Sequence, residues 1–403
     1  MPKGDRSKKK EKDGSQRVAA DTTLPPDEDN ESVDSSQEGS VVSEEGTEKQ
    51  DTEEQLAFLF GEAVEQLLEK SGQARLSALA RLNKLCSENV LSAQLAGRVE
   101  TVTDTIVKGL KKGNECVELL HFALLLTVQL GEAQEPWASL HPLLNQLCAD
   151  PAASPSERAA ACQALGICSL IQAEDPQDLV EVMLQLEKLF HCKDAVIVNA
   201  AVKSWSLLLT AAPASIVPTL TSSLVPTLNK LLENGEIEVR IASGQGIALL
   251  VNLIHELNGG ELLRTPELDK SNYLMQQLAT DSSRYTGRKE RSQQRSSFKD
   301  ILQTLESGTV SQQNVRCGHE VIALDNWTKQ IRYNSFKELL GTGMNRHLMA
   351  NDLIREVFEL GPPPAIEVES KMAKMERKSL TAARAKHRSQ TRGKSRDQKS
   401  VAS

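Results

Sequence analysis

Aromatic side chains are scarce in this sequence: 3 Trp, 3 Tyr and 7 Phe among 403 residues. Strands of all-β sandwiches favour aromatic and β-branched residues, so that fold class is disfavoured. Paired cysteines are missing as well. Seven cysteines stand singly at Cys86, Cys116, Cys148, Cys162, Cys168, Cys192 and Cys317, without a CxxC pair or a dense cluster. That usage excludes a disulfide framework and points to a reducing compartment. Long hydrophobic runs are absent too. Leu119–Leu130 reaches 12 residues but contains His121, Thr127 and Gln129, too short and too polar to span a bilayer. The Lys-rich N-terminus is not followed by an apolar segment, so no secretory signal is expected. A soluble, intracellular protein that does not engage membranes is predicted.

Catalytic signatures are equally sparse. Gly341-Thr-Gly-Met-Asn-Arg-His347 begins like a phosphate loop, but Arg346 stands where a third glycine is needed and no Walker-type lysine follows. A helix end and turn is the expected role. His255-Glu256 lacks the second histidine of a zinc-protease helix. Cys317-Gly-His319 offers a thiol, but a nucleophile needs a base beside it in space, not merely in sequence. Cys162, Cys168, His191 and Cys192 do not have zinc-motif spacing and read as structural thiols. Gly244 and Gly246 read as close helix packing. No catalytic residue, metal ligand, cofactor or small-molecule substrate is expected.

What the sequence does have is a period. Segments rich in small and aliphatic residues open at Arg75, Cys116, Arg158, Asn199 and Arg240, with spacings of 41, 42, 41 and 41 residues. Each follows another helical segment, at about 53–70, 91–112, 137–149, 177–191 and 216–233. Helix pairs repeating every 40–47 residues mark armadillo or HEAT arrays, in which stacked pairs share the core that one pair cannot form alone. Glu-Val-Arg at 238–240 matches the arginine often found at the start of a second HEAT helix. Breakers fall between segments at Ser71-Gly72, Lys112-Gly113-Asn114, Pro151 to Pro155, Asp175-Pro176, Ala212-Pro213, Asn234-Gly235 and Asn258-Gly259-Gly260. Pro155 suits a first helical turn, whereas Pro218 and Pro226 predict a kinked or late-starting helix.

Past Gly260 the period is lost. Residues 266–280 read as a helix, Val315–Leu324 as a short apolar run, and 325–340 as a helix capped by Asp325 or Asn326. A further short helix reaches Leu360, and Gly361-Pro-Pro-Pro364 stops the fold. The expected architecture is therefore all-α: an armadillo/HEAT-like helical-repeat solenoid with a mainly helical C-terminal domain and disordered termini. Its expected divisions are a disordered tail at 1–52, about five helix pairs at 53–260, the C-terminal domain at 261–364 and a basic tail at 365–403.

Charge is segregated, and the formal net of −8 conceals it. Residues 1–20 carry 7 basic and 3 acidic groups, whereas 21–55 carry 13 acidic groups against Lys49 alone. A segment of this composition cannot bury enough apolar surface to offset its chain entropy. Two cationic stretches stand out. One runs through Arg284, Arg288, Lys289, Arg291, Arg295 and Lys299, against Glu290. The other is Lys371, Lys374, Arg377, Lys378, Arg384, Lys386, Arg388, Arg392, Lys394 and Arg396. Such runs bind phosphate backbones through counterion release, without reading sequence, and arginine-rich segments commonly fold on RNA. These sixteen residues are the candidate nucleic-acid-binding set. The tail also reads as a nuclear import signal.

Three stretches then carry a resemblance. They are Thr103-Asp-Thr-Ile-Val-Lys-Gly-Leu-Lys-Lys-Gly113 with Gln129-Leu-Gly131; Leu278-Ala-Thr-Asp-Ser-Ser-Arg-Tyr285 with Gln294-Arg-Ser-Ser-Phe-Lys-Asp300; and Phe336-Lys-Glu-Leu-Leu-Gly-Thr-Gly-Met344 with His347-Leu and Asn351-Asp-Leu-Ile-Arg-Glu-Val-Phe-Glu-Leu-Gly-Pro-Pro363. With the basic end Thr391-Arg-Gly-Lys-Ser-Arg-Asp397, the chain resembles the interferon-related developmental regulator family. The resemblance implies a non-enzymatic regulator of gene expression. It implies either a factor that binds ribosomes and rRNA and represses translation, or a nuclear co-regulator that holds transcriptional corepressor proteins in its solenoid groove. Cytoplasmic and nuclear localisation follows from these two roles. The sequence departs from the vertebrate pattern between Ala365 and Ala383, where Met375-Glu-Arg-Lys-Ser-Leu-Thr381 replaces an aromatic-containing stretch.

Overall fold

Short polar side chains set the helix boundaries. Ser71 accepts the Ala74 N–H, Asp175 that of Gln177 and Asp194 that of Val196. Ser154 and Glu157 form a reciprocal capping box ahead of Pro155, closing two N–H groups that the helix leaves open. The structure, a computed structural model, describes residues 53–363 except 133, 281–286 and 319. The 1–52 and 365–403 tails therefore lie outside the described residues.

Within them the chain forms successive helix pairs. α1 (Glu53–Leu67) pairs with α2 (Gly72–Glu88), and a short α3 (Ser92–Ala96) leads into α4 (Val99–Lys112) and α5 (Cys116–Leu130). The pairs α6 (Gln134–Ala149) with α7 (Pro155–Gln172) and α8 (Pro176–Leu189) with α9 (Ala195–Leu209) follow. α10 (Val217–Leu231) with α11 (Ile237–Leu257) completes the five expected from the period. The second members α2, α5, α7, α9 and α11 pack in order as one layer. Pro218 lies in the first turn of α10, a late start, and Pro226 inside it; Pro142 lies inside α6. Arginines close the turns as expected: Arg75 donates to the carbonyls of Glu69 and Lys70, Arg158 to that of Cys148, and Arg240 to those of Asn234 and Gly235.

The stack does not end at Gly260. α12 (Pro266–Thr280) packs on α10 and α13 (Arg288–Ser307) on α11, making a sixth pair where the sequence period had suggested a separate C-terminal domain. Phe298 and Ile301 of α13 press on Gly244 of α11, and Gly246 lies against Ser206 of α9. Both glycines thus serve close helix approach. The period is hidden because α12 and α13 are joined by a longer connection than the other pairs. α11 is the one helix among the described residues long and apolar enough to cross a membrane. It lies between α9 and α13 with most of its surface buried in the stack.

The apolar run at 315–324 is a β-hairpin. β1 (Gln313–Cys317) pairs antiparallel with β2 (Glu320–Leu324), Val315 opposite Ile322. α14 (Trp327–Leu340), α15 (Met344–Ala350) and α16 (Asp352–Val357) then run back across the layer of second helices. Asn326 caps α14 through the Lys329 N–H. The Trp327 N–H donates to Asn252 of α11, and Arg332 donates to the Thr210 carbonyl at the end of α9 (2.9 Å). Lys203 of α9 meets Glu338 at 3.0 Å. Further along, Arg346 donates to the Glu88 carbonyl and to Asn89, and Asn351 to the Val128 carbonyl of α5. The returning segment therefore contacts the stack in reverse order, from α11 down to α2.

Two buried groups hold its end. Arg355, 1% exposed, donates to both carboxylate oxygens of Glu320 and to the carbonyls of Leu348, Leu360 and Gly361. All five of its N–H groups are thereby used, which a buried guanidinium requires. His347 is fully buried, its Nε2 donating to the Cys86 carbonyl at 3.2 Å while Nδ1 accepts from Asn351. Burial pushes its pKa down to about 4.

Gly343 presses on the backbone at Ser87 and Glu88, where a Cβ would overlap the Ser87 carbonyl oxygen. Gly343→Ala is expected to destabilise the protein by about 1–3 kcal/mol, the usual cost of overpacking, read as a lower urea midpoint. The His347 ring takes up a proton in the unfolded chain before it does so in the fold. Its contribution is therefore complete above pH 6.5 and is lost as pH falls toward about 4. Urea midpoints measured across that window should fall more steeply for the wild type than for His347→Gln.

Candidate nucleic-acid interface

α13 is amphipathic, and its buried side is set by Gln294, Phe298, Ile301, Thr304 and Leu305. Gln294 accepts from Arg240 at 2.6 Å and donates to the Leu278 carbonyl at 3.0 Å, which ties α13 to both α11 and α12. Thr304 accepts the Trp327 indole N–H at 2.9 Å. With that side buried, Lys289, Arg295 and Lys299 are exposed. Arg288, Arg291, Arg295 and Lys299 recur at intervals of three and four residues, so they share one face of the helix.

The six cations of this stretch are not equivalent. Arg284 lies outside the described residues, as do Lys371, Lys374, Arg377, Lys378, Arg384, Lys386, Arg388, Arg392, Lys394 and Arg396. Arg288 opens the helix backbone. Arg291 is half-buried and is the fourth residue of α13. That is the place Arg75, Arg158 and Arg240 hold in α2, α7 and α11, where the guanidinium closes the preceding turn. Its position is that of a repeat-packing arginine, a distinction that only alignment on the observed helix starts reveals. Lys289, Arg295 and Lys299 remain as the described part of a cationic surface.

Positive charge in the first turn of a helix opposes the helix dipole, by about 0.3–1 kcal/mol per group. Arg288, Lys289 and Arg291 all stand there, relieved by Glu290, whose carboxylate accepts the Gly287 N–H at 3.1 Å. The helix therefore gains little stability from these cations, whereas an anion approaching its exposed N-terminal end meets both N–H groups and positive side chains.

The other candidate groups are dispersed. Cys168 meets the Thr127 hydroxyl at 3.3 Å, Cys192 lies 3.9 Å from Arg158, and His191 is exposed. Cys148 pairs with Cys162, which together with burial raises the Cys148 pKa. Among the described residues no three His, Cys, Asp or Glu side chains converge as a metal set. The Cys317 thiol is buried and donates to the Asn345 carbonyl, and burial raises its pKa; His319 lies outside the described residues. Gly341 caps α14 with φ 53°, as a turn rather than a phosphate loop.

Residues 29–306 match the model of the family described as Interferon-related developmental regulator (IFRD), and residues 351–400 match the Interferon-related protein conserved region. The chain belongs to the interferon-related developmental regulator family. Interferon-related developmental regulator 2 of Mus musculus is 32% identical over 378 residues, spanning 88% of this chain and 85% of the relative. Interferon-related developmental regulator 1 of Sus scrofa is 31% identical over 382 residues, spanning 89% and 83%. An archaeal HEAT-like repeats protein from Thermococcus onnurineus NA1 aligns with TM-score 0.40 and 14% identity over 62% of this chain and 94% of its own. A designed armadillo repeat protein in complex with the peptide (KR)4 aligns with TM-score 0.40 and 17% identity over 60% and 99%. The third stretch that carried the resemblance, 336–363, is the segment that clasps the stack. As a member of this family the chain is a regulator built on a helical-repeat fold.

Packing and surface cations should separate on mutation. Arg240→Ala removes a half-buried guanidinium that holds two carbonyls and Gln294, so a loss of about 1–3 kcal/mol is expected. Lys289→Ala and Lys299→Ala should stay within about 0.5 kcal/mol of wild type. Thermal unfolding of the three variants checks this.

Proposed function

We propose that this regulator binds ribosomes through rRNA and represses translation, using the exposed cations of α13 together with the basic tail. The supporting observation is the placement of Lys289, Arg295 and Lys299 on an exposed helix face in a chain of net charge −8. Residues 56–364 outside 284–299 sum to −12, so the bulk of the stack repels a polyanion and contact is confined to the cationic segments. Phosphate-backbone attraction of this kind needs no base reading and no catalytic group.

The second reading is a scaffold for corepressor proteins in the nucleus, with the tail serving import. It relied on an open groove along the second helices. α14–α16 occupy much of that face, which weighs against it and restricts it to the surface near α13. On either reading the protein works in the cytoplasm, the nucleus or both, without an enzymatic step.

Salt-graded sedimentation of lysates tests the first reading. Ribosomal co-sedimentation should be lost at lower salt for the Lys289→Gln/Arg295→Gln/Lys299→Gln triple variant. The slope of log K against log salt should fall by about 2–3, one counterion per neutralised contact. Deletion of 371–403 should lower it further. Unchanged sedimentation of both variants at every salt, with recovery of nuclease-resistant nuclear protein partners instead, would overturn the ribosomal reading in favour of the scaffold.

A further inference from the structure

The returning segment leaves one part of the second-helix layer uncovered. α14 meets α13 through Trp327 and Thr304, and beyond that contact a cleft of about 200 Å³ separates them. Its floor is Ile241, Ala242 and Ile331, contributed by α11 and α14. Its walls carry the amides of Gln245, Gln293 and Asn334 and the hydroxyl of Ser297. No hydrogen bond or ion pair joins these four side chains to other described residues. Ser206, 3% exposed, also lines the cleft, and its hydroxyl has no partner. A native fold seldom leaves a buried hydroxyl unsatisfied.

The charges of the cleft are unbalanced. Lys203 is held by Glu338 at 3.0 Å, whereas Glu238 has no ionic partner among the described residues. A phosphate chain would be repelled here. An extended peptide fits the chemistry: its N–H and C=O groups need both donors and acceptors once desolvated, and a primary amide supplies both. The cleft continues along α13 past Ser296, Ser292 and Lys289. From Ser297 to Lys289 the helix advances about 12 Å, the length of about four extended residues.

We infer that the cleft between α9, α11, α13 and α14 is a docking site for an extended peptide segment of a partner protein, with one basic side chain directed to Glu238. Gln245, Gln293 and Asn334 take the peptide main chain, and Ser206 receives a donor at the floor. The site is separate from the cationic face proposed to meet rRNA and does not depend on it.

The full-length chain would be titrated into a fluorescent octapeptide of alternating Arg and Ala, with blocked ends, and anisotropy followed. Alternation puts every guanidinium on one side of an extended strand. Saturable binding is expected, weakened about tenfold by Glu238→Gln and at least severalfold by Gln245→Ala/Asn334→Ala, which leaves the charge unchanged. Arg295→Gln/Lys299→Gln should leave peptide binding intact, and Glu238→Gln should leave ribosomal sedimentation intact, so the two sites fail independently. Thermal unfolding confirms that each variant folds. Absence of saturable binding, equal binding of an alternating Glu-Ala peptide, or binding unaffected by Glu238→Gln and by the amide pair would overturn the proposal. Competition by a single-stranded RNA that is lost in Gln245→Ala/Asn334→Ala would reassign the cleft to nucleic acid.

Discussion

Helices α5, α9 and α11 are apolar on nearly every side, and such helices require cover all round. Stacking supplies three sides: the preceding second helix, the following one and the first-helix layer. The fourth is covered by the chain's own return. Phe336, Leu339, Leu340 and Leu348 of the returning segment are buried, and polar contacts from Trp327 to Asn351 fix its register against α11, α9, α5 and α2. The repeats and the clasp are thus one core. Contacts of this kind, separated by more than 200 residues in sequence, cost loop-closure entropy. The compensation comes from buried polar groups that are almost fully satisfied, with Arg355 the fullest case.

That arrangement directs function to the end of the stack. In an open array the second-helix layer would be a continuous binding surface. Here the stretch from α2 to α11 is largely occupied from within, and α13, added as the last second helix, is reached mainly by the start of α14. Both surfaces proposed for partners lie on or beside α13: its cationic exposed face and the amide-lined cleft next to it. One helix thereby separates an acidic scaffold from a polyanion-binding edge. The placement of like charges in its first turn, against the helix dipole, is understandable when an external anion completes the site.

Catalysis has no foothold in this arrangement. The thiols serve packing: Cys86 and Cys168 have pKa values raised to about 12 by burial, far from the thiolate form a nucleophile needs. The glycine-rich turn at 341–343 allows two backbones to touch, and the arginines at regular intervals close turns. Motifs suggestive of chemistry when read singly become structural once their neighbours are visible.

The alternation of small and aliphatic residues at a 41-residue spacing, the capping serines and aspartates, and the breakers between them made five helix pairs legible, because each depends on contacts within or between adjacent repeats. The cations of α13 were legible as a run for the same reason. Their separation into exposed side chains and the repeat arginine Arg291 was not, since it depends on which face Phe298 and Ile301 bury against Gly244. Nor could local sequence reveal the sixth pair, whose connection breaks the period, or the clasp, whose partners are far apart along the chain. Local propensity and repeat spacing are short-range and survive in the order of residues. The covering of the fourth side, and with it the location of the free cleft, arises only when distant segments compete for the same apolar surface.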